Sequence, residues 1–160
     1  MNIFPIKERT FKLFDTQSET LERLKRRTEK SKNLTSQHTD KTFRGIIDGN
    51  QFKLISSVVG KGALCVMTGE IQEGTGFVKV EIHKVFKILF SILLCFPPIG
   101  ITLSILIGAE EYHPIFILVA LLQVLMIRYI FIGFAFRAIS RASLNRLRDV
   151  LDFEWTTNYK

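Results

Sequence analysis

The sequence has few of the residues from which metal, redox and nucleophilic sites are built. It contains only two cysteines, Cys65 and Cys95, and three histidines in 160 residues. The cysteines form no CxxC pair and the histidines are not clustered, which excludes the common zinc and redox motifs. No GxSxG or HExxH motif occurs, and no carboxylate pair has an evident pocket. We therefore predict no catalytic residues, no metal site, no cofactor and no enzymatic activity, and we interpret both cysteines as core or lipid-facing residues.

Charge is missing from one long stretch, residues 88–108, which reads ILFSILLCFPPIGITLSILIG. This is about the length that an α-helix needs to cross roughly 30 Å of hydrocarbon. Its polar residues Ser91, Thr102 and Ser104 are small enough to bond their own helix backbone. Pro97 and Pro98 remove two amide donors at its middle, so we expect the helix to kink or break there.

A second apolar run, residues 115–136, is also long enough to span, but it contains Gln123 and Arg128. Two interpretations of Arg128 stay open. Its guanidinium either snorkels toward the nearer interface or makes a polar contact inside a helix bundle. The second interpretation predicts a homo-oligomer formed through the two helices. Because the two polar residues are five positions apart, they lie on different faces and need not share a partner.

The two runs are separated by the short acidic segment 109–114, which predicts an antiparallel hairpin. Lys84 and Lys87 precede the first run, and four arginines follow the second, namely Arg137, Arg141, Arg146 and Arg148. The positive-inside rule therefore places both termini in the cytoplasm. We therefore expect a two-pass protein of the bacterial inner (plasma) membrane, with membrane lipid as a partner. Lipid headgroups would contact the basic residues closest to the spans, namely Lys79, Lys84, Lys87, Arg137 and Arg141.

The residues before the hairpin are expected to form a small cytosolic α+β module, 1–84. Thr16 and Glu19 form a capping-box pattern, which predicts a helix from Thr16 to about Lys30. Four strand-like runs follow at 42–47, 51–59, 64–71 and 77–83, joined in pairs by glycine-containing turns. The fragment TFKLFD, which begins at Thr10, is a further candidate strand. In the last of these runs Val78, Val80 and Ile82 alternate with largely polar residues, which predicts one buried face and one wetter face. We predict an antiparallel sheet within 42–83.

After the transmembrane hairpin, 85–137, comes a juxtamembrane helix and tail, 138–160. Apolar residues recur at helical spacing to about Phe153, and we expect the sheet to cover them rather than lipid or another copy. Trp155 and Tyr159 are interpreted either as interfacial anchors or as part of a frayed tail. The overall prediction is a membrane α+β fold with a small antiparallel sheet, one or two helices and a two-helix transmembrane hairpin.

The run TFRGIIDGNQFKLIS, followed by GEI, a turn, a strand and two apolar helices, carries a resemblance. It is similar to a loose class of small uncharacterised bacterial membrane proteins in which a short β module precedes a two-helix hairpin. The residues that match are Phe43, Gly45, Asn50, Phe52 and Gly69. The resemblance implies an architecture and no activity.

The net charge of +7 would suit nucleic acid, but the basic residues beside the spans already account for much of it. We interpret Arg23 to Arg27 as a solvated helix face and expect no nucleic-acid partner. Two functions remain. One is a membrane-anchored binding or accessory module with an unknown protein or small-molecule ligand. The other is a defence-type effector that perturbs or permeabilises the membrane and is gated by its cytosolic domain.

The topology can be tested with single cysteines placed on either side of the membrane. An impermeant thiol reagent added outside should label Tyr112→Cys, because the acidic loop is expected outside. The same reagent should miss Ser36→Cys and Thr157→Cys in intact cells. The reverse labelling pattern would overturn the orientation.

Overall fold

The computed structural model describes residues 4–35, 39–58, 62–107 and 115–156. The chain forms two compact units. We call the first the sheet unit, which combines Met1–His83 with Ala138–Lys160. We call the second the helical unit, which is Lys84–Arg137. The sheet unit is therefore built from the N-terminal and C-terminal parts of the sequence, and the helical unit is inserted between them along the chain.

The sheet unit contains an open mixed sheet of seven strands in the order β2-β3-β4-β5-β6-β1-β7. Strand β2 runs parallel to β3, and the other neighbouring strands pair antiparallel. The strands are β1 (Ile6–Leu13), β2 (Thr28–Lys30), β3 (Phe43–Asp48), β4 (Gln51–Ser56), β5 (Cys65–Gln72), β6 (Thr75–Ile82) and β7 (Phe153–Trp155).

The sequence predicts the four central strands of this sheet but not its edges. The four runs expected within 42–83 are β3 to β6, and they pair antiparallel. The expectation of a purely antiparallel sheet was wrong, because β2 adds a parallel edge. Strands β2 and β7 have three residues each, which is too short for a period of two to be recognised.

Two tight hairpins join the central strands. Asp48 pairs with Gln51, and Gln72 pairs with Thr75, so each hairpin has a loop of two residues. Gly49 has φ 57° and Gly74 has φ 73°, a region that glycine enters without steric cost. The structure thus explains both glycine-containing turns, although Asp48 itself belongs to β3 and lies outside the positive-φ loop.

One face of the sheet is apolar and buried. Val78, Val80 and Ile82 of β6 point to this face, and the residues between them belong to the wetter face, as the alternation predicted. On the wetter face Glu8 and Lys79 are directly paired across β1 and β6, with 3.9 Å between Oε1 and Nζ. Large fully buried side chains on the core face include Phe11, Phe43, Leu54, Met67 and Ile71.

Two aromatic rings on this face lie across glycines of the neighbouring strand. Phe11 is opposite Gly76, and a Cβ added at Gly76 would lie 2.2 Å from the Phe11 ring. Phe52 is opposite Gly69, where an added Cβ would lie 2.4 Å from the ring. Each glycine therefore makes room for a ring that covers the adjacent strand.

Helix α1 (Gln17–Arg27) packs on the core face through Leu24. Its predicted capping box is confirmed: the Glu19 amide donates to Thr16 Oγ1, and the Thr16 amide donates to Glu19 Oε2, each at 3.4 Å. The helix ends earlier than predicted. Thr28 is extended, with φ −111° and ψ 130°, because it begins β2 and pairs with Phe43.

Helix α4 (Gly133–Leu151) contributes Leu144, Leu147 and Leu151 to the buried core of the sheet unit. The sheet is therefore among the groups that cover the tail helix, as expected. The helix ends before Phe153 because Asp152 adopts φ 52° and its amide donates to the Arg148 carbonyl at 2.8 Å.

The residues after α4 correct the sequence analysis again. Phe153 stacks on Phe11 with 4.2 Å between ring centroids, and Trp155 lies edge-on to Phe153 at 4.6 Å. Trp155 is therefore not part of a frayed tail, because β7 pairs it with Phe11 of β1. Its role as an interfacial anchor stays a prediction. Tyr159 lies outside the described residues.

The helical unit consists of α2 (Lys84–Leu106), α3 (Ile115–Met126), a π-helical segment (Ile127–Ile132) and the first turns of α4. Ser91, Thr102 and Ser104 donate to the carbonyls four residues earlier at 2.8–3.0 Å, as predicted. Helix α2 continues through Pro97 and Pro98, so the predicted break does not occur. The acidic segment 109–114 lies outside the described residues.

Two helices are long and apolar enough to cross a membrane, Lys84–Ser104 and the continuous helix Ile115–Leu151. Only 6% of the most apolar window of the first is buried, and 11% of that of the second. The core helix of a soluble protein would be mostly buried. Phe96, Leu106, Ile107 and Phe134 are between 72% and 79% exposed, so the structure gives these side chains little protein cover.

The aromatic–glycine packing predicts the effect of a single methyl group on the sheet unit. Gly76→Ala should lower the free energy of unfolding by about 1–3 kcal/mol, because its Cβ collides with the Phe11 ring. Trp155, the only tryptophan, lies in this unit, so its fluorescence during urea titration of the whole chain in detergent measures the change.

The matched control is Gly100→Ala, where nothing described lies within 4 Å of an added Cβ, and it should leave the Trp155 transition unchanged. In a Phe11→Leu background the cost of Gly76→Ala should shrink. Equal costs in both backgrounds would show that the ring is not what excludes the methyl group.

Candidate functional site

The sheet unit contains a basic cleft of about 840 Å³. It lies where the end of α1, the segment before β3 and the end of α4 meet. We call it the basic cleft, and its described lining residues are Arg23, Arg26, Arg27, Asp40, Lys41, Thr42, Arg146, Asp149 and Val150. Five of these side chains are cationic and two are acidic, which gives a net charge of +3.

Two arginines of the cleft are held by the protein. An Arg23 Nη donates to Asp15 Oδ2 at 2.6 Å, and the other Nη lies 3.5 Å from the Leu151 carbonyl oxygen. Arg146 donates to Ser56 Oγ at 3.0 Å, and Ser56 is buried on the core face of β4. These contacts join α1 to the end of α4 and join α4 to the sheet, and they fix two cations at the cleft wall.

Lys41 is positioned through both its side chain and its backbone. Its Nζ donates to the carbonyl of Arg26 at 2.5 Å, near the end of α1. Ser57 Oγ donates to the carbonyls of Lys41 and Thr42 at 2.6 and 2.9 Å. The Ser57 amide also donates to the Thr42 carbonyl, at 3.1 Å. The segment before β3 is thereby fixed against the end of β4.

Arg26 and Arg27 differ from the other cations of the cleft. Both are exposed, and neither forms an ion pair or side-chain hydrogen bond with the part of the chain that the structure describes. By contrast, Arg23 is paired with Asp15, and Asp149 lies 3.6 Å from Arg148. The cleft therefore offers two guanidinium groups whose donors are available to a ligand.

Sequence reasoning missed this site because its residues come from three separate segments. Arg23, Arg26 and Arg27 looked like a solvated helix face, and Arg146 looked like a flank of the second span. Only the packing of α1 and α4 on one sheet brings them together. The local signal was the spacing of the arginines, since residues three and four apart share a helix face.

Cys65 and His83, which lie outside the described lining of the cleft, have pKa values that their surroundings shift. Burial raises the pKa of the Cys65 thiol to about 12, so it is protonated at neutral pH and belongs to the core, as predicted. Burial and the charge of Lys53 lower the pKa of His83. Cys95 is exposed on α2. Among the described residues, no group of three or more His, Cys, Asp or Glu side chains could hold a metal ion.

The residues predicted to contact lipid headgroups are divided between the two units. Lys79 lies on β6 beside Glu8. Lys84 and Lys87 occupy the first turn of α2, and Arg137 is exposed on α4. Arg141 lies one turn further along α4. The pKa of Lys7 is lowered first by burial and then by the charges of Arg9 and Arg141.

The two polar residues of the second span occupy different environments. Gln123 is exposed on α3, and Arg128 is half-buried in the π-helical segment. The Arg128 guanidinium carbon lies 5.7 Å from the centroid of the Tyr129 ring, within the range of a cation–π contact. No pattern in the sequence predicts the π-helical segment, a feature that is frequent at functional sites.

Comparison of the chain with protein-family models, curated proteins and solved structures gives no match. The resemblance stated above is met at the level of architecture, since a sheet precedes two apolar helices. The residues that carried it have structural roles. Phe43 and Phe52 are buried, and the Asn50 side chain donates to Glu70 at 2.8 Å.

The role of Arg128 can be tested by the size of the protein in mild detergent. We expect wild type, Arg128→Lys and Arg128→Leu to elute identically, because a snorkelling side chain needs length but no fixed donor geometry. An intramembrane polar contact contributes on average below about 1 kcal/mol and at most roughly 2 kcal/mol, so its loss would weaken assembly while folding is retained. A shift confined to the leucine variant would indicate a charge-dependent contact between copies.

Proposed function

We propose that this chain is a non-enzymatic binding or accessory module anchored in the bacterial inner membrane. Two helices would cross the bilayer as a hairpin, and both termini would lie in the cytoplasm with the sheet unit. The observation that carries this proposal is that very few side chains are buried in the most apolar windows of two helices of spanning length.

Exposure on this scale argues for a lipid surrounding. Monomeric soluble proteins rarely expose contiguous apolar patches larger than a few hundred Å². Here large apolar side chains are exposed along the whole of α2 and α3, from Val85 to Met126. A bilayer supplies the missing cover without requiring a polar face, and a helix pairs most of its backbone polar groups internally.

The basic residues at the helix ends support the proposed orientation. Lys84 and Lys87 begin α2, and Arg137 and Arg141 lie on α4 beyond the most apolar part of the second helix. Lysines and arginines at these positions are retained on the cytoplasmic side during insertion. The anchored sheet unit would then be available to cytosolic ligands through its basic cleft, which supports a binding role.

A second candidate is a membrane-perturbing or pore-forming effector of the defence type, gated by its cytosolic domain. It is favoured by a specific feature, the half-buried Arg128 in a π-helical segment of an otherwise apolar helix. Intramembrane charges commonly mark ion paths or bundle contacts. The anchor remains the first choice, because a single arginine can snorkel without any bundle.

The anchoring role predicts retention in the membrane pellet after a carbonate wash. Leu93→Asp, near the middle of α2, should release part of the protein, since a charge there costs roughly 2.5–3.5 kcal/mol of insertion free energy. Ser18→Asp on the exposed surface of α1 is the matched control and should stay in the pellet. Full release of the wild type would contradict the anchor.

The effector role predicts a different result with the same purified protein. Vesicles loaded with a fluorescent dye should retain it after reconstitution of an anchor, with or without candidate ligands. Dye release that depends on the protein, and that Arg128→Leu abolishes, would replace the anchor with the effector.

A further inference from the structure

We propose that the basic cleft binds a multiply charged phosphate-bearing ligand through its phosphate groups. This inference rests on the binding role proposed above and names the chemistry of the ligand. The cleft combines guanidinium groups from α1 and α4 with an ammonium group from the segment before β3. Three chain segments thus converge on one concave surface of a single compact unit.

The charge of the cleft favours an anion. Its described lining residues carry a net charge of +3, and among the described residues no ion pair joins Asp40 or Asp149 to Arg26 or Arg27. Asp149 lies beside Arg148, and Arg23 is already paired with Asp15. Arg26 and Arg27 are left with five N–H donors each, in the planar fork that matches phosphate oxygens in pairs.

The positioning of the cleft residues favours a preformed site over a mobile charged surface. Arg23, Lys41 and Arg146 each donate to a protein acceptor at 2.5–3.0 Å. These bonds hold the cleft walls while Arg26 and Arg27 remain available. A ligand would therefore have to order few side chains, which lowers the entropic cost of binding.

The size and lining of the cleft narrow the class of possible ligands further. A volume of about 840 Å³ exceeds what a single phosphate group fills and lies within the range of roughly 300–1,000 Å³ found for small-molecule sites. Among the described lining residues there is no aromatic side chain on which a base could stack, and Val150 is the one large apolar residue. We therefore infer recognition of a phosphate chain or cluster with little discrimination between bases.

Helix ends provide a competing explanation for some of the basic residues. The C-terminus of a helix carries partial negative charge, which favours Lys25, Arg26 and Arg27 in the last turn of α1. This effect does not account for Lys41 or Arg146, which come from other segments and face the same cleft. The partial negative charge of the helix end also repels an anion, but this repulsion is weak compared with the attraction of several guanidinium groups.

The experiment measures binding of inorganic tripolyphosphate to the whole chain in detergent at low salt. Calorimetry gives the dissociation constant, and Trp155 fluorescence gives the thermal midpoint of the sheet unit with and without the probe. We expect saturable binding and a raised midpoint, because a ligand that binds only the folded state stabilises it. ATP and GTP should bind with similar constants.

The test variant is Arg26→Gln with Arg27→Gln, which removes the two unpaired cations without breaking a described ion pair. Its dissociation constant should rise at least about tenfold, since each lost guanidinium removes charge-assisted hydrogen bonds. The matched control is Lys12→Gln with Lys25→Gln, which removes the same charge from exposed positions outside the described lining of the cleft. It should bind almost as tightly as the wild type.

A phosphate-bearing ligand could be soluble or part of a lipid, and reconstitution distinguishes the two sources. In vesicles of phosphatidylcholine alone the probe should bind as in detergent. Phosphatidic acid is then added to the vesicles. If it raises the dissociation constant of tripolyphosphate for the wild type but not for the arginine variant, the lipid headgroup occupies the cleft. Equal constants in both vesicles assign the cleft to a soluble ligand.

Three outcomes would overturn the inference: no binding by the wild type, equal binding by the arginine variant, or equal weakening by the lysine control. The last would mean that only overall charge attracts the probe. Each sample is also tested for retention in the carbonate-washed pellet. A chain that is retained but does not bind tripolyphosphate removes this inference alone, whereas a chain released by carbonate removes the anchor proposed above.

Discussion

Burial of the core face of the sheet is the constraint on which the organisation of this chain depends. Leu24 from α1 and Leu144, Leu147 and Leu151 from α4 are buried in the sheet unit, although they come from opposite ends of the sequence. A small sheet without these residues would have little apolar area to bury on folding. The helical unit must therefore be an insertion whose two ends return to the same domain, which an even number of membrane crossings would satisfy.

The same packing creates the basic cleft. Leu24 and Leu147 face the sheet, so the residues beside them, Arg23 and Arg146, are brought to the boundary between helix and sheet. Like charges held close together repel one another, and the contacts with Asp15, Ser56 and Leu151 counter this repulsion at Arg23 and Arg146. An anion bound in the cleft would relieve this repulsion, as the binding role proposed for the sheet unit requires.

The sequence predicted the features that depend on short-range patterns. The alternation in β6, the capping box at Thr16 and the two apolar helices each needed only neighbouring residues. The parallel strand β2, the strand β7 and the basic cleft depend on distant pairing, and three-residue strands carry no periodic signal. The left-handed Asp152 that ends α4 was missed because glycine is the usual signal for such an end. The site was therefore less predictable than the fold.

The balance of insertion free energies decides whether Arg128 requires a partner inside the membrane. Residues 115–136 include fifteen Leu, Ile, Phe and Val residues. At roughly 0.3–0.6 kcal/mol each they favour insertion by about 4–9 kcal/mol, as an upper estimate for residues near the helix centre. One arginine costs about 2.5–3.5 kcal/mol at the centre and less when it snorkels. The second helix would thus insert without a partner for Arg128, so this residue alone does not require a bundle. Only an assembly that depends on its charge would turn the π-helical segment from a local irregularity into part of a pore.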